Sequence, residues 1–164
     1  MDYLEKTFAI IMRKSNILKI VKEMPGVSYN EIVRQSNLSN GVVSHYILKL
    51  MDEGHLEKYG DGRSKYFDSK VSENDRRIIS ILRNDTNLMI VRLLLKSKRS
   101  ITSHEISEAI NRSTSTVSVS LKNLQKNKIV DREILNENVK IRSDIGYRIT
   151  DREFFKRIFS KYKI

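Results

Sequence analysis

The sequence contains one pattern twice. Val27–Leu56 laid over Ile101–Val130 without a gap gives seven identities in thirty positions. They are Glu31/Glu105, Ile32/Ile106, Asn37/Asn111, Ser39/Ser113, Val43/Val117, Ser44/Ser118 and Leu50/Leu124. Apolar positions coincide as well: Val27/Ile101, Ile47/Leu121 and Leu56/Val130. Seven identities alone lie within reach of chance for two helical segments. The shared apolar pattern makes a structural repeat the better explanation. A chain of 164 residues can hold one ordinary domain or two small ones, and the repeat selects two.

Each unit reads as the same order of elements. Ile17, Ile20, Val21 and Met24 recur at helical spacing, and Pro25-Gly26 ends that helix. Val27-Ser28 is a short extended piece, and Tyr29 to Gln35 a short helix with Ile32 and Val33 turned inward. Ser36-Asn37-Leu38 is a tight turn, after which the Ser39 hydroxyl can cap a third helix. That helix places Val43, Ile47, Leu50 and Met51 on one face, and Gly54 stops it. Leu56 to Tyr59 and Lys65-Tyr66-Phe67 are strands joined by the Gly60-Asp61-Gly62-Arg63 hairpin turn. The second unit repeats this. Val91, Leu94 and Leu95 lie on its first helix, and Ser103 to Ile110 is its second. Ser113 caps the third, which buries Val117, Leu121 and Leu124. Ile129 to Leu135 and Gly146 to Thr150 are the hairpin strands, joined through the longer Asn136–Ile145. Tyr66 and Tyr147 fall at similar places on the return strands.

That order predicts a mainly α chain with small β-hairpins (α+β): two winged helix-turn-helix domains in tandem. The polar run Ser69-Lys70-Val71-Ser72-Glu73-Asn74 reads as the junction. The first domain, with an N-terminal helix, is then 1–70, and the second, with a C-terminal helix, 71–164. A further helix is expected over Arg76–Arg83, interrupted at Asn84-Asp85-Thr86-Asn87. Two amphipathic stretches flank the repeats: Tyr3, Leu4, Phe8, Ile11 and Met12 at one end, and Phe154, Phe155, Ile158, Phe159 and Tyr162 at the other. Pairing between chains, giving a homodimer with four winged units, and packing within the monomer are both open to them; two such flanks are more than two small units need.

Charge separates the two units. Residues 1–70 hold 11 basic and 9 acidic side chains, and residues 71–164 hold 20 and 11. The net charge of +11 therefore sits mostly on the second unit. A basic domain attracts polyanions: nucleic acid, an acidic membrane surface or an acidic protein. The chain has no cysteine and only three histidines, His45, His55 and His104. A disulfide framework and a thiolate metal site are thereby excluded, and a multi-histidine centre has almost nothing to be built from. His55 reads as structural and His104 as a surface residue. No apolar run approaches the ~18 residues that span a bilayer. The N-terminus lacks the basic and apolar regions of a signal peptide. A cytoplasmic, nucleoid-associated protein is expected, with no membrane, no cofactor and no metal. No P-loop, H-E-x-x-H, nucleophile elbow or dinucleotide-binding glycine pattern is present, so no enzyme is expected.

The segments Leu38-Ser39-Asn40-Gly41-Val42-Val43-Ser44-His45-Tyr46-Ile47-Leu48-Lys49-Leu50 and Ser113-Thr114-Ser115-Thr116-Val117-Ser118-Val119-Ser120-Leu121-Lys122-Asn123-Leu124 resemble the recognition helices of MarR- and ArsR-type winged-helix regulators. Gly54-His55-Leu56 and Gly146-Tyr147-Arg148-Ile149-Thr150 fit the same pattern. The tandem, over about residues 17–68 and 88–150, is similar to archaeal double helix-turn-helix regulators. Many relatives place Arg where this chain has His45 and Val119, and the metal-sensing cysteines of ArsR-type proteins are absent.

The resemblance implies double-stranded DNA as the partner, with the third helix of each unit in the major groove. Facing away from the apolar stripe are Asn40, Gly41, Ser44, His45 and Leu48 in the first unit. In the second they are Thr114, Ser115, Ser118, Val119 and Lys122, with Thr116 in the same first turn. Asn can pair with adenine, Ser and Thr serve either base edge or phosphate, and Val119 can lie against a thymine methyl. Gly41 permits close approach. Lys122, Lys126, Lys128, Arg112 and Arg99 around the second helix are phosphate candidates, as is Lys49 on the first. Asp52 and Glu53 close the first helix with opposite charge. On the wings, Arg63, Lys140 and Arg142 can reach a minor groove, with Glu137 beside the latter two. The two third helices of one chain can enter successive grooves about 34 Å apart, or a dimer can present four. The rival reading is a tandem winged-helix scaffold that binds proteins in a transcription or chromosome-segregation complex, for which the near-neutral first unit is the candidate. Transcription machinery is a further candidate partner.

Overall fold

A computed structural model of the chain describes residues 3–60, 63–135 and 145–164. The chain divides into two compact units, one ending at Ser80 and the next beginning at Ile81.

In the first unit, α1 (Tyr3–Glu23) leads to β1 (Val27–Ser28), α2 (Tyr29–Ser36), α3 (Asn40–Asp52), β2 (Leu56–Tyr59), β3 (Lys65–Asp68) and most of α4 (Glu73–Leu82). The expected N-terminal flank and first helix are thus a single helix. No Gly or Pro lies between Tyr3 and Glu23, so nothing interrupts the backbone ladder. Its C-terminal half supplies Ile17, Ile20 and Val21 to a core with Val27, Ile32, Val43, Tyr46, Ile47, Leu50 and Leu56. Each such side chain contributes about 1.5–3 kcal/mol of burial. Its N-terminal half leaves Leu4, Phe8, Ile11 and Met12 exposed. The chain then turns at Met24-Pro25-Gly26, where Gly26 takes φ 75° and the Val27 N–H donates to the Met24 carbonyl at 3.0 Å.

The wing is more than a hairpin. β3 pairs antiparallel with both β2 and β1, giving the order β1-β3-β2, with Val27 opposite Tyr66 and Lys58 opposite the same Tyr66.

The unit boundary falls inside α4, ten residues beyond the 70/71 junction read from polarity. The polar run does not end the unit, because Arg76 returns to it. The Arg76 guanidinium pairs with Glu57, and its Nη2 donates to the Ser69 carbonyl at 3.1 Å.

The second unit contains α5 (Asp85–Lys96), β4 (Ile101–Thr102), α6 (Ser103–Ile110), α7 (Thr114–Lys126), β5 (Val130–Ile134), β6 (Ile145–Ile149) and α8 (Arg152–Tyr162). Its sheet has the equivalent order β4-β6-β5. Ile101 lies opposite Tyr147, and so does Arg132. The likeness of Tyr66 and Tyr147 is therefore one of register: each sits between the short first strand and a cation on the outer strand. Gly146 is required where it stands, since a Cβ there would meet the Ser100 Cβ at 2.7 Å and the Leu135 Cδ2 at 2.9 Å.

The C-terminal stretch packs within its own unit. Phe155, Ile158 and Tyr162 are buried. Arg152 donates to the carbonyls of Leu95 at 2.7 Å and Leu94 at 3.2 Å, closing the last turn of α5. Of the two amphipathic flanks, only the N-terminal one keeps its apolar face in solvent.

Candidate nucleic-acid interface

The two third helices are built by matching local chemistry. Ser28 caps α2 and Thr102 caps α6, each in a reciprocal box with a Glu three residues on. The Ser28 N–H donates to Glu31 Oε2 at 2.8 Å, and the Thr102 N–H to Glu105 Oε2 at 2.8 Å. Asn37 and Asn111 end these helices in the left-handed conformation, at φ 55° and 50°, which Asn tolerates better than most residues. The chain is thereby redirected into α3 and α7.

At their starts the two helices differ. Ser113 caps α7 by accepting from the Thr116 N–H at 3.2 Å, and its hydroxyl also lies 2.9 Å from that of Ser115 and 2.8 Å from that of Thr116. Ser115 and Thr116 are thus partly engaged in the cap. Ser39 occupies the same N-cap position with extended backbone, but its hydroxyl makes no capping bond, contrary to expectation. The start of α3 is held by Tyr29 instead, whose hydroxyl donates to the Asn40 carbonyl at 2.7 Å.

Five of the seven repeated pairs have a side-chain duty in both units, and at a sixth only Ser113 uses its hydroxyl. Glu31 and Glu105 complete capping boxes, Asn37 and Asn111 make the turn, and Ser39 and Ser113 stand at N-caps. Ile32 and Ile106, Val43 and Val117, and Leu50 and Leu124 are fully buried. Ser44 and Ser118 are exposed on α3 and α7.

Around Ser44, α3 exposes Asn40, Gly41, His45, Leu48 and Lys49. Tyr46, next to His45 in sequence, is buried, with the two rings edge-on at 5.1 Å. Nothing lies within 4 Å of a Cβ built on Gly41, so the fold does not demand glycine there. Glycine inside a helix costs about 0.5–1 kcal/mol relative to alanine. At the far end Glu53 pairs with Lys14 of α1, and that ammonium holds its carboxyl below the ordinary range. His55 is half-exposed, with Nε2 3.8 Å from Glu53 Oε2.

Around Ser118, α7 exposes Thr114, Ser115, Thr116, Val119, Lys122 and Lys126. Arg112 precedes it, also exposed. From Ala109 to Val130 the sequence has no acidic residue. Among the described residues Lys122 and Lys126 have no ion pair. Arg99 belongs to a different arrangement. It pairs with Glu105 at 2.5 Å and lowers that carboxyl to about 2, with help from the Thr102 backbone and hydroxyl. His104 is exposed, 3.7 Å from Glu108.

On the wings Arg63 is exposed, while Glu137, Lys140 and Arg142 lie outside the described residues. The sequence reading passes over Lys58 and Arg132. Both are exposed, stand 74 positions apart, and lie opposite Tyr66 and Tyr147. Their signal was the repeat itself, which sets a cation at the same strand position in both units; strand alternation would have put each on the face of buried Leu56 or Val130. Among the described residues no group of acidic, His or Cys side chains could hold a metal, and no helix is long and apolar enough to cross a membrane.

Comparison with known families agrees with this geometry. Residues 12–79 match a family model described as an N-terminal HTH domain. Residues 84–132 match the model of the arsR family of bacterial regulatory proteins. No curated protein matches the chain. The chain carries two helix-turn-helix domains in tandem, in an α+β winged-helix layout.

Proposed function

We propose that this pair of helix-turn-helix domains binds double-stranded DNA in a sequence-dependent way and regulates transcription by occupying a site and altering polymerase access. The third helix of each unit enters the major groove, and the wings follow the adjacent backbone. The families matched are DNA-binding regulators rather than enzymes. The observation that carries the reading is the exposed face of α7. It combines hydroxyls at Thr114, Ser115 and Ser118 with lysines at 122 and 126, in a stretch free of acidic residues. Hydroxyls can bond base edges or phosphate, and unpaired lysines neutralise phosphate.

Two details of α3 support the same role for the first unit. Ser44 is a repeated residue that the fold does not use, and Gly41 is a helix glycine that the fold does not need. A backbone exposed at Gly41 can approach a groove closely. The acidic end of α3 makes this unit the weaker in electrostatic attraction, and favours a protein of the transcription machinery as its alternative partner. The apolar face of Leu4, Phe8, Ile11 and Met12 takes a second copy of the chain, giving a homodimer through α1. Such a regulator works in the cytoplasm, on the nucleoid.

Fluorescence anisotropy with a random-sequence duplex tests the reading at 50 and 200 mM salt. Several phosphate contacts predict affinity falling by orders of magnitude between the two. Absence of binding at the lower salt would overturn it, and capture of a protein partner without DNA binding would support the scaffold reading.

A further inference from the structure

We infer that Val119 reads thymine: its isopropyl group meets the 5-methyl group of a thymine in the groove that α7 enters. The inference rests on the DNA-binding role proposed above and adds what that helix selects. Exposed large apolar side chains among the described residues fall in few places. One group lies on the N-terminal half of α1, and Ile134 and Leu135 lie at the end of β5. The other two stand singly on the third helices, Leu48 on α3 and Val119 on α7.

Val119 is 69% exposed. Its helical neighbours Ser115, Ser118, Lys122 and Asn123 are polar and exposed. An isolated apolar spot of this kind is too small for the core of a protein interface. The fold draws no burial energy from it, and a β-branched residue lowers helix propensity at an exposed position. In the major groove, the base edges present hydrogen-bonding groups and, on thymine, a methyl. A valine side chain has no donor or acceptor, so the methyl is the group it can distinguish. At the equivalent place α3 carries His45, which can hydrogen-bond. The two units therefore read different chemistry at the same helix position.

The test begins with a duplex selected from a random pool by the full chain. Each thymine is then replaced in turn by deoxyuridine, which removes only the methyl. At one or more positions the wild type is expected to lose about fourfold in affinity, equivalent to ~0.8 kcal/mol for one methyl-sized group. The same replacement should leave Val119→Ser unaffected. Overturning results are a selected site without thymine, a wild type indifferent to every replacement, or a loss that persists undiminished in Val119→Ser. Each of these leaves DNA binding intact, whereas a wild type that binds no duplex removes the DNA-binding reading itself. The deoxyuridine series on the wild type needs no variant to fold.

Discussion

Lys128 holds, at φ 57°, the left-handed backbone that Gly54 holds at φ 72°, and the two residues close their helices with the same pair of hydrogen bonds. The Gly54 N–H donates to the Met51 carbonyl at 2.9 Å and the His55 N–H to that of Leu50 at 2.8 Å. In the second unit the Lys128 N–H donates to Gln125 at 2.9 Å and the Ile129 N–H to Leu124 at 2.9 Å. Both ends satisfy carbonyls that the helix leaves over. Glycine takes this conformation without penalty, whereas an L-residue with a side chain loses about 1–2 kcal/mol. Lys128→Gly should therefore stabilise the second unit by about 1 kcal/mol, read from the urea midpoint. A fall in stability would mean that the lysine side chain contributes more than its backbone costs.

Glu105 ties the second unit's stability to acid. Its carboxyl is held at about 2 by the Arg99 guanidinium and by Thr102. A depressed carboxyl stabilises the fold above its ordinary value near 4.5, and the contribution is lost as pH falls through that value toward 2. Glu105→Gln keeps an oxygen for the capping box and removes the charge. The stability difference between wild type and variant should be largest above pH 5 and shrink steadily toward pH 2. A difference independent of pH would assign the effect to the cap alone.

Most of this architecture was readable because the sequence states its breaks. Pro25-Gly26, Ser36-Asn37, Gly54 and Asn111-Arg112-Ser113 fall where elements end, and the buried stripe of α7 follows helical spacing. Three features escaped for definite reasons. The length of α1 was hidden because a change in amphipathic face between Met12 and Ile17 looks like a boundary although no breaker is present. Tyr46, three residues after Val43 and four before Leu50, lies on the buried stripe by helical spacing, but an aromatic ring with a polar tip reads as readily as a surface residue. Lys128 in a glycine conformation carries no residue-type signal and becomes visible only through its partner in the repeat. The exposed residues of the site were placed by face. What they touch depends on DNA, and surface chemistry alone does not encode that.

Phosphate contact and base reading should separate by salt. Lys122→Ala should weaken binding to every duplex and reduce the magnitude of the salt slope by about 0.9. Ser118→Ala should alter the preferred site while leaving the slope unchanged. An unchanged slope in the first variant would remove Lys122 from the phosphate set. An unchanged preference in the second would mean that Ser118 reads no base.

The α1 face gives a test of assembly. Phe8 is 65% exposed, so Phe8→Glu costs its own unit little, but it places a charge in the middle of the Leu4–Met12 stripe. Sedimentation velocity at tens of micromolar should show a dimer for the wild type and a monomer for the variant. A monomeric wild type at that concentration would dismiss α1 as the dimer contact.

The separation of duties within α3 and α7 has a consequence for how such a protein can change its target. The residues that make the turns and fill the core are one set, and those facing outward are another. Rewriting the outward set leaves the scaffold intact. In the function proposed above, with both units on the duplex, they act as tethered modules: while one is held, the other samples the DNA at high effective concentration. A substitution that weakens base reading by one unit then lowers occupancy without releasing the protein. Preference can drift through one helix at a time, with its neighbour serving as the anchor.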